Sequence, residues 1–387
     1  MFLTDIHINA LRHLKDIDIK LSRDKRQHLI LTGKNGSGKT SLLEAIRNQL
    51  EYISGISKPT TNVIVTPFSV GISDSPDAIG LRVSTSKEYN HFSVVPPFVC
   101  AYFDASRLTN VEQPQGVERI SLSNAYKFNE TPVRLLLKYM VHLKTQLVYA
   151  KNENDENSAL RIQKWFNLYT NALRELMDDP SVELHYDYKN YNFLIHQANR
   201  NSYSFMQLSD GYSAAIMIVS DLLMRMDQNW LINNTTQNTS LEGIALIDEI
   251  ETHLHLSLQR KILPFLTRLF PNIQFIVSTH SPFVVNSIDN AVIYDLENHI
   301  TVPNGLTNCS YEGVVEGYFK VDELSDELKR KFDRYKALVQ QSEQSEDDMD
   351  EIMDLELYLD NIPDYLTPGI ATEYQKLKLE CMKGGER

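Results

Sequence analysis

The sequence predicts an α/β fold: a mixed, mostly parallel sheet with helices on its faces, an inserted helical pair and a helical C-terminal tail. Three observations carry that reading. Strand-like and helix-like stretches alternate over most of the 387 residues, the pattern of a sheet whose crossovers are helices. Gln27–Thr32 is a near-continuous apolar run and Gly243–Ile247 is apolar throughout, as strands buried on both faces are. The first of these runs leads through a glycine-rich loop into a helix.

In order, strand patterns cover residues 2–9, 15–21 and 27–32, and a helix is expected over 41–50, where Leu42, Leu43, Ala45, Ile46 and Leu50 fall near helical spacing. Residues 53–99 are rich in Ser, Thr, Pro and Val and read as short strands and loops without a legible register. Another buried strand is expected over 98–106. Two helices follow, one carrying Leu135, Leu136, Leu137, Tyr139, Met140, Leu143 and Leu147, the other Ile162, Trp165, Phe166, Leu168, Leu173 and Leu176, with the polar run 151–158 between them. Strands are expected at 182–186 and 191–195, a helix at 213–226, a strand at 243–247, a helix at 256–269 and a strand at 273–278. The expected domains are 1–125 with 180–320, the inserted pair 126–179, and an acidic helical segment 321–387.

Composition bounds the function. With 42% apolar and 23% charged residues the chain is an ordinary globular protein, and no run approaches the 18 apolar residues of a membrane span. The N-terminus lacks a secretion pattern. Cys100, Cys309 and Cys381 form neither a CxxC pair nor a disulfide framework, which suits a reducing cytoplasm. Residues 321–387 hold 18 Asp or Glu against 9 Lys or Arg, or −9 of the total −13, so acidity belongs to the tail and contact with nucleic acid elsewhere stays open.

Gly33-Lys34-Asn35-Gly36-Ser37-Gly38-Lys39-Thr40 fits G-x-x-x-x-G-K-[ST] between a strand and a helix, the context that identifies a phosphate-binding loop, or P-loop. Its backbone N–H groups and the helix N-terminus suit an anion, Lys39 reaches β/γ-phosphate oxygens, and Thr40 can ligate Mg²⁺. The strand Gly243–Ile247 ends in Asp248-Glu249, at the sheet edge where α/β folds bind ligands. Asp248 is placed to hold Mg²⁺ and Glu249 to polarise the water that attacks the γ-phosphate. His253 and His255 stand at i and i+2 and share no helix face, so no metal cluster is expected there.

Leu208-Ser209-Asp210-Gly211-Tyr212 precedes an apolar helix and resembles the LSGGQ signature of ATP-binding-cassette (ABC) ATPases, with Asp210 in place of a glycine and Tyr212 in place of glutamine. Asp248–His255 is similar to that superfamily's acidic strand and D-loop, and Ser278-Thr279-His280-Ser281-Pro282 to its switch-histidine strand end. Within the superfamily the sequence resembles the RecF, SMC and Rad50 branch, and most of all the OLD-like ATPases of bacterial defence systems, such as those of Septu and Gabija, over roughly residues 1–300. The resemblance implies an ABC-type P-loop ATPase using ATP and Mg²⁺. It implies that Ser209 and Gly211 meet the γ-phosphate held by an opposing subunit, in a homodimer or larger homo-oligomer, and that His280 orients the attacking water. Arg12 matches an arginine that touches phosphate in this branch. Arg107 lies near the expected glutamine loop, for which Gln113 and Gln115 are the available glutamines. A defence role implies a separate effector, nuclease or toxin. A DNA-clamping repair ATPase and a nucleotide-gated scaffold are the alternatives. Some OLD-like proteins append a TOPRIM nuclease, but Asp348-Met349-Asp350 matches only its letters, and the apolar residues Leu355, Leu357, Leu359, Ile362 and Tyr365 read instead as a face that packs on the ATPase or docks another protein.

Overall fold

The computed structural model describes residues 1–53, 62–66, 69–73, 81–86, 98–107, 111–123, 126, 128, 130–198, 200–233, 241–311, 313–319, 325–341, 345–362 and 368–384. It divides into two compact units, Met1–Tyr311 and Glu312–Arg387.

The first unit opens with β1 (Leu3–Leu11), β2 (Leu14–Lys20), β3 (His28–Thr32) and α1 (Lys39–Ile53), followed by β4 (Asn62–Thr66), β5 (Ser69–Ser73), β6 (Leu81–Thr85) and β7 (Val99–Phe103). The helical pair is α2 (Leu136–Asn152) and α3 (Glu156–Leu176), joined by a turn in which the Asp155 side chain accepts the Ser158 N–H and so caps α3. Then come β8 (Glu183–Asp187), β9 (Asn192–Gln197), β10 (Arg200–Ser204), α4 (Asp210–Asn233), β11 (Gly243–Ile247), α5 (Leu256–Leu269), β12 (Ile273–Ser278), α6 (Pro282–Val285), β13 (Ala291–Asp295) and β14 (Ile300–Pro303).

These strands form three sheets. The six-stranded sheet has the order β14-β13-β3-β12-β11-β7 and is parallel except for β14. An antiparallel sheet has the order β2-β1-β6-β5-β4, and a small one β10-β9-β8. One continuous core fills the space between the first two: Ile6 and Ile8 of β1, Ile17 and Ile19 of β2, Leu29 and Leu31 of β3, Ile244 and Leu246 of β11, and Leu42, Leu43, Ile46 and Leu50 of α1. Helix α1 is thus held by apolar contacts from two sheets, which fixes the loop that precedes it.

The strands β10, β13 and β14 lie outside the elements expected from sequence. β13 is a five-residue apolar run, short enough to pass for a loop, yet it completes the parallel sheet beside β3. β10 reads Arg-Asn-Ser-Tyr-Ser and is largely exposed, so hydrophobic patterning carries no trace of it. Parts of the 53–99 region lie outside the described residues.

Among its described residues the second unit holds a short helical segment, Gly313–Tyr318, followed by α7 (Asp326–Val339), α8 (Glu346–Asp360) and α9 (Pro368–Gly384). Leu328, Phe332, Tyr335, Leu338, Ile352, Leu355, Leu359, Tyr374 and Leu377 form its own core, with Ile362 packed against it. Of the apolar residues singled out in the tail, Leu355 and Leu359 thus lie in the interior of this unit, Leu357 is 67% exposed, and Tyr365 lies outside the described residues. Asp348 accepts the Ser345 N–H in a capping box at the start of α8, a structural task for that carboxylate.

Candidate functional site

The P-loop leaves β3 and enters α1 at Lys39. Gly33, Gly36 and Gly38 have φ of 129°, 84° and 98°, values at which a side chain is strained. A Cβ on Gly38 would also meet the Leu14 side chain at 3.0 Å and the His13 ring at 3.4 Å. The turn after β1, which carries Arg12, therefore lies against the loop, with Arg12 exposed and in a left-handed conformation of φ 54°. Asn35 and Gly36 form the exposed crown of the loop, and Ser37 Oγ is buried without a partner.

Lys39 is 6% exposed and donates to the carbonyls of Gly33 at 2.7 Å and Lys34 at 3.0 Å. Burial lowers its pKa, against which the carboxylates of Glu249, Asp248 and Glu251 favour the charged form. The Lys34 ammonium lies 2.8 Å from Glu297 of the β13–β14 turn, whose other oxygen accepts the Lys34 N–H at 3.3 Å, so the strand that sequence patterning overlooks also braces the loop.

Parallel pairing brings the ends of β3, β11 and β12 to one edge. There Thr40 Oγ1 donates to Asp248 Oδ2 at 2.7 Å, joining the two residues assigned to Mg²⁺ across 208 positions of sequence. Asp248 is 3% exposed, and its second oxygen accepts the Ser278 hydroxyl at 2.5 Å. The Ser278 oxygen in turn accepts the Glu249 N–H at 2.7 Å. Ser278 carries no functional signature of its own in the sequence, although it opens the Ser-Thr-His-Ser-Pro run that contains His280. Glu249 adopts φ 45°, a left-handed backbone that costs a non-glycine residue of order 1 kcal/mol, and its carboxylate accepts from Thr252 Oγ1 at 3.2 Å.

His280 follows β12. Its backbone N–H donates to Glu251 Oε1 at 2.5 Å, and its ring Nε2 is buried without a partner, as is Glu251 Oε2. Burial, followed by the charge of Lys39, lowers the His280 pKa, which keeps the imidazole neutral at pH 7. Unpartnered buried polar atoms are rare in folded proteins, and those of Ser37, Glu251 and His280 suit a polar ligand. A Thr hydroxyl beside a single carboxylate suits Mg²⁺, which keeps water and completes its shell with substrate phosphates. Among the described residues no group of three or more His, Cys, Asp or Glu is placed to hold a metal by itself.

The signature residues lie elsewhere. Ser209 and Asp210 are exposed at the start of α4, and Ser209 lines a cavity of about 410 Å³ together with Arg200, Tyr203, Gln207 and Tyr212. No P-loop residue lines that cavity. A Cβ on Gly211 would sit 2.6 Å from the His253 carbonyl oxygen, so this glycine has a close-approach role within its own chain. His253 holds a left-handed φ of 66°, and the His255 ring accepts the Ser257 N–H at the start of α5. Gln113 and Gln115 are exposed. It is Arg107, 6% exposed, that reaches the acidic strand end, donating from Nη2 to the Glu249 carbonyl at 2.5 Å.

The family profile described as "AAA domain, putative AbiEii toxin, Type IV TA system" matches residues 29–286. The chain is similar to the Septu protein PtuA of Bacillus mycoides (strain KBAB4), 29% identical over 397 residues that cover 96% of this chain and 51% of that protein. It is 38% identical over 151 residues to the Retron Ec83 probable ATPase of Escherichia coli, covering 38% and 26%. Against the Retron Vc95 probable ATPase of Vibrio cholerae serotype O1 biovar El Tor it is 31% identical over 381 residues, covering 74% and 72%. The chain thus spans about half the length of the Septu relative and a quarter of the Ec83 relative. With the matched profile spanning more than half of the sequence and the phosphate loop, acidic strand and histidine strand gathered at one edge of a mostly parallel sheet, the chain belongs to this AAA ATPase family.

Proposed function

We propose that this protein binds ATP with Mg²⁺ and hydrolyses it to ADP and phosphate, acting as the sensor or regulatory ATPase of an antiviral defence system. The observation that carries the catalytic reading is the 2.7 Å bond between Thr40 and Asp248, which joins the phosphate loop to the acidic strand end and leaves Glu249 as the adjacent carboxylate. In this reading Lys39 turns from its loop carbonyls to the β/γ-phosphates. Thr40 and Asp248 would hold Mg²⁺, which when bound would supply charge neutralisation on the phosphate oxygens. Glu249 accepts the proton of the attacking water, and neutral His280 orients that water through its unpartnered Nε2. Asn35, Gly36, Ser37 and Gly38 supply the N–H cradle, and Arg12 approaches the bound phosphates from the hairpin turn.

Exposure of Ser209 away from the P-loop supports a head-to-tail dimer in which Ser209 and Gly211 meet the γ-phosphate of the opposing subunit, two ATP molecules lying between the subunits. The defence role and a separate effector, nuclease or toxin, rest on similarity to the Septu and retron proteins. Among the described residues no helix is long and apolar enough to cross a membrane.

Two variants test the site. Lys39→Ala should abolish ATP binding, whereas Glu249→Gln should retain ATP and lose turnover by about 10²-fold or more. Undiminished ATP affinity in the first, or normal turnover in the second, would refute the assignment. For the dimer, mixing Lys39→Ala with Ser209→Arg should restore part of the turnover that each lacks alone, because one of the two composite sites is then intact.

A further inference from the structure

Two non-glycine residues with left-handed backbones meet across neighbouring strand ends. Arg107, at φ 31°, lies four residues beyond β7, and Glu249, at φ 45°, lies two residues beyond β11. A single hydrogen bond joins them, from Arg107 Nη2 to the Glu249 carbonyl at 2.5 Å. The loop that presents Arg107 is itself braced, since Asp104 Oδ1 accepts the Arg107 N–H at 3.0 Å and the Ser106 hydroxyl at 2.7 Å. Burial lowers the Arg107 pKa, while Glu251, Asp104, Asp248 and Glu249 around it favour its charge. A guanidinium with Nε and Nη1 left unpartnered is an expensive way to hold one carbonyl, so its placement calls for a role beyond packing.

On the other side of Glu249 its N–H donates to Ser278 Oγ at 2.7 Å. The two bonds therefore grip both peptide groups that flank the Glu249 Cα, and these are the groups whose rotation defines φ and ψ. We propose that Arg107 is a positioning residue for Glu249: together with Ser278 it clamps the backbone of the acidic strand end and thereby fixes the direction in which the Glu249 carboxylate leaves the chain. The inference rests on the proposed role of Glu249 in ATP hydrolysis and adds a residue to it. A clamp of this kind acts on the transition state more than on nucleotide binding, because a small error in carboxylate aim slows proton transfer without touching the phosphates.

The test uses the full chain. Arg107→Met keeps the length of the side chain and removes its donors, and Arg107→Lys restores one. In Arg107→Met, kcat for ATP should fall about 10- to 100-fold, while affinities for ADP and for adenylyl imidodiphosphate stay within about threefold. Arg107→Lys should recover part of kcat. Ser278→Ala, which opens the other side of the clamp but also removes the hydroxyl bonded to Asp248, should lower kcat at saturating Mg²⁺, and Arg107→Gln serves in place of Arg107→Met if that variant does not fold. A selective loss of affinity for the triphosphate analogue in Arg107→Met would overturn the proposal, because it would make Arg107 a phosphate contact. Normal kcat in Arg107→Met beside an inactive Glu249→Gln would overturn the clamp alone, whereas normal kcat in Glu249→Gln would overturn the ATPase reading and the clamp with it.

Discussion

Replacing Gly211 with alanine puts a methyl group where the structure has no room. The added Cβ would lie 2.6 Å from the His253 carbonyl oxygen, against the 3.4 Å at which ordinary contact begins, so the start of α4 and the D-loop must separate by about 0.8 Å. The obstacle is backbone, which cannot swing aside as a side chain does, and overpacking of this kind costs about 1–3 kcal/mol. Alanine also gains helix propensity, but at the first turn of α4 the gain is below the ~1 kcal/mol of a helix interior. The strain wins, leaving a net loss of about 1–2 kcal/mol and a drop of a few degrees in Tm. The displaced loop leads directly to Glu251, which accepts the His280 N–H, so turnover should fall by more than the small stability change accounts for. Scanning calorimetry and a coupled phosphate-release assay on the same preparation read both effects. A variant with unchanged Tm and unchanged kcat would refute the close-approach argument. A variant with unchanged Tm and reduced turnover would instead assign Gly211 wholly to the opposing subunit's nucleotide.

Further outcomes follow from other features. Thr40→Val removes the hydroxyl bonded to Asp248 at nearly constant volume, and the Mg²⁺ concentration needed for half-maximal turnover should rise by about tenfold or more; an unchanged Mg²⁺ titration would remove Thr40 from the metal site. His28 in β3 accepts the Phe275 N–H through Nδ1, and burial, aided by the charge of Arg26, lowers its pKa from 6.5 to about 4. Between these values the unfolded chain binds the extra proton, so the stability associated with neutral His28 is complete above pH 6.5 and declines toward pH 4, by about 3 kcal/mol. His28→Asn, which lacks that titration, should flatten the decline, and parallel chemical-denaturation curves at pH 4.5 and 7 would show that other groups carry it. Tyr335 is fully buried in the second unit and donates to Glu356. Tyr335→Ala should cost about 3–5 kcal/mol and melt α7–α9 while ATP binding at the P-loop persists; loss of ATP binding would show that the units are not independent.

Much of the parallel sheet was legible because its strands are continuous apolar runs and its ligand edge carries unusual residues at fixed spacing: the glycines and Lys39 of the loop, Asp248-Glu249 after β11, His280 after β12. Those signals are local. What stayed hidden is long-range. Nothing in the residues near Ser278 announces that its hydroxyl serves both Asp248 and Glu249, because that role exists only once β11 and β12 lie in register. Arg107 could be weighed as a loop residue, but its hold on Glu249 depends on the pairing of β7 with β11. The self-contained core of α7–α9 was missed for a related reason: an amphipathic helix shows that it has an apolar partner without showing which one.

Strand β3 has a consequence for synthesis. Leu29 is paired with Ile276 and also with Val292, so the strand that leads into the phosphate loop has no neighbour on either side until some 250 further residues have been made. At ribosomal rates of about 5–20 residues per second that interval lasts on the order of 12–50 s, during which an apolar strand with two open edges is exposed on the nascent chain. The hairpin of β1 and β2 forms early, since its pairing is local, and it supplies an apolar face for α1 to rest on during the wait. Leu3 is nonetheless tied to the amide of Gln274, which bonds both its N–H and its carbonyl, so even the hairpin takes its final place only after β12 emerges. The order of translation thus makes the nucleotide site one of the last parts of the ATPase unit to be completed.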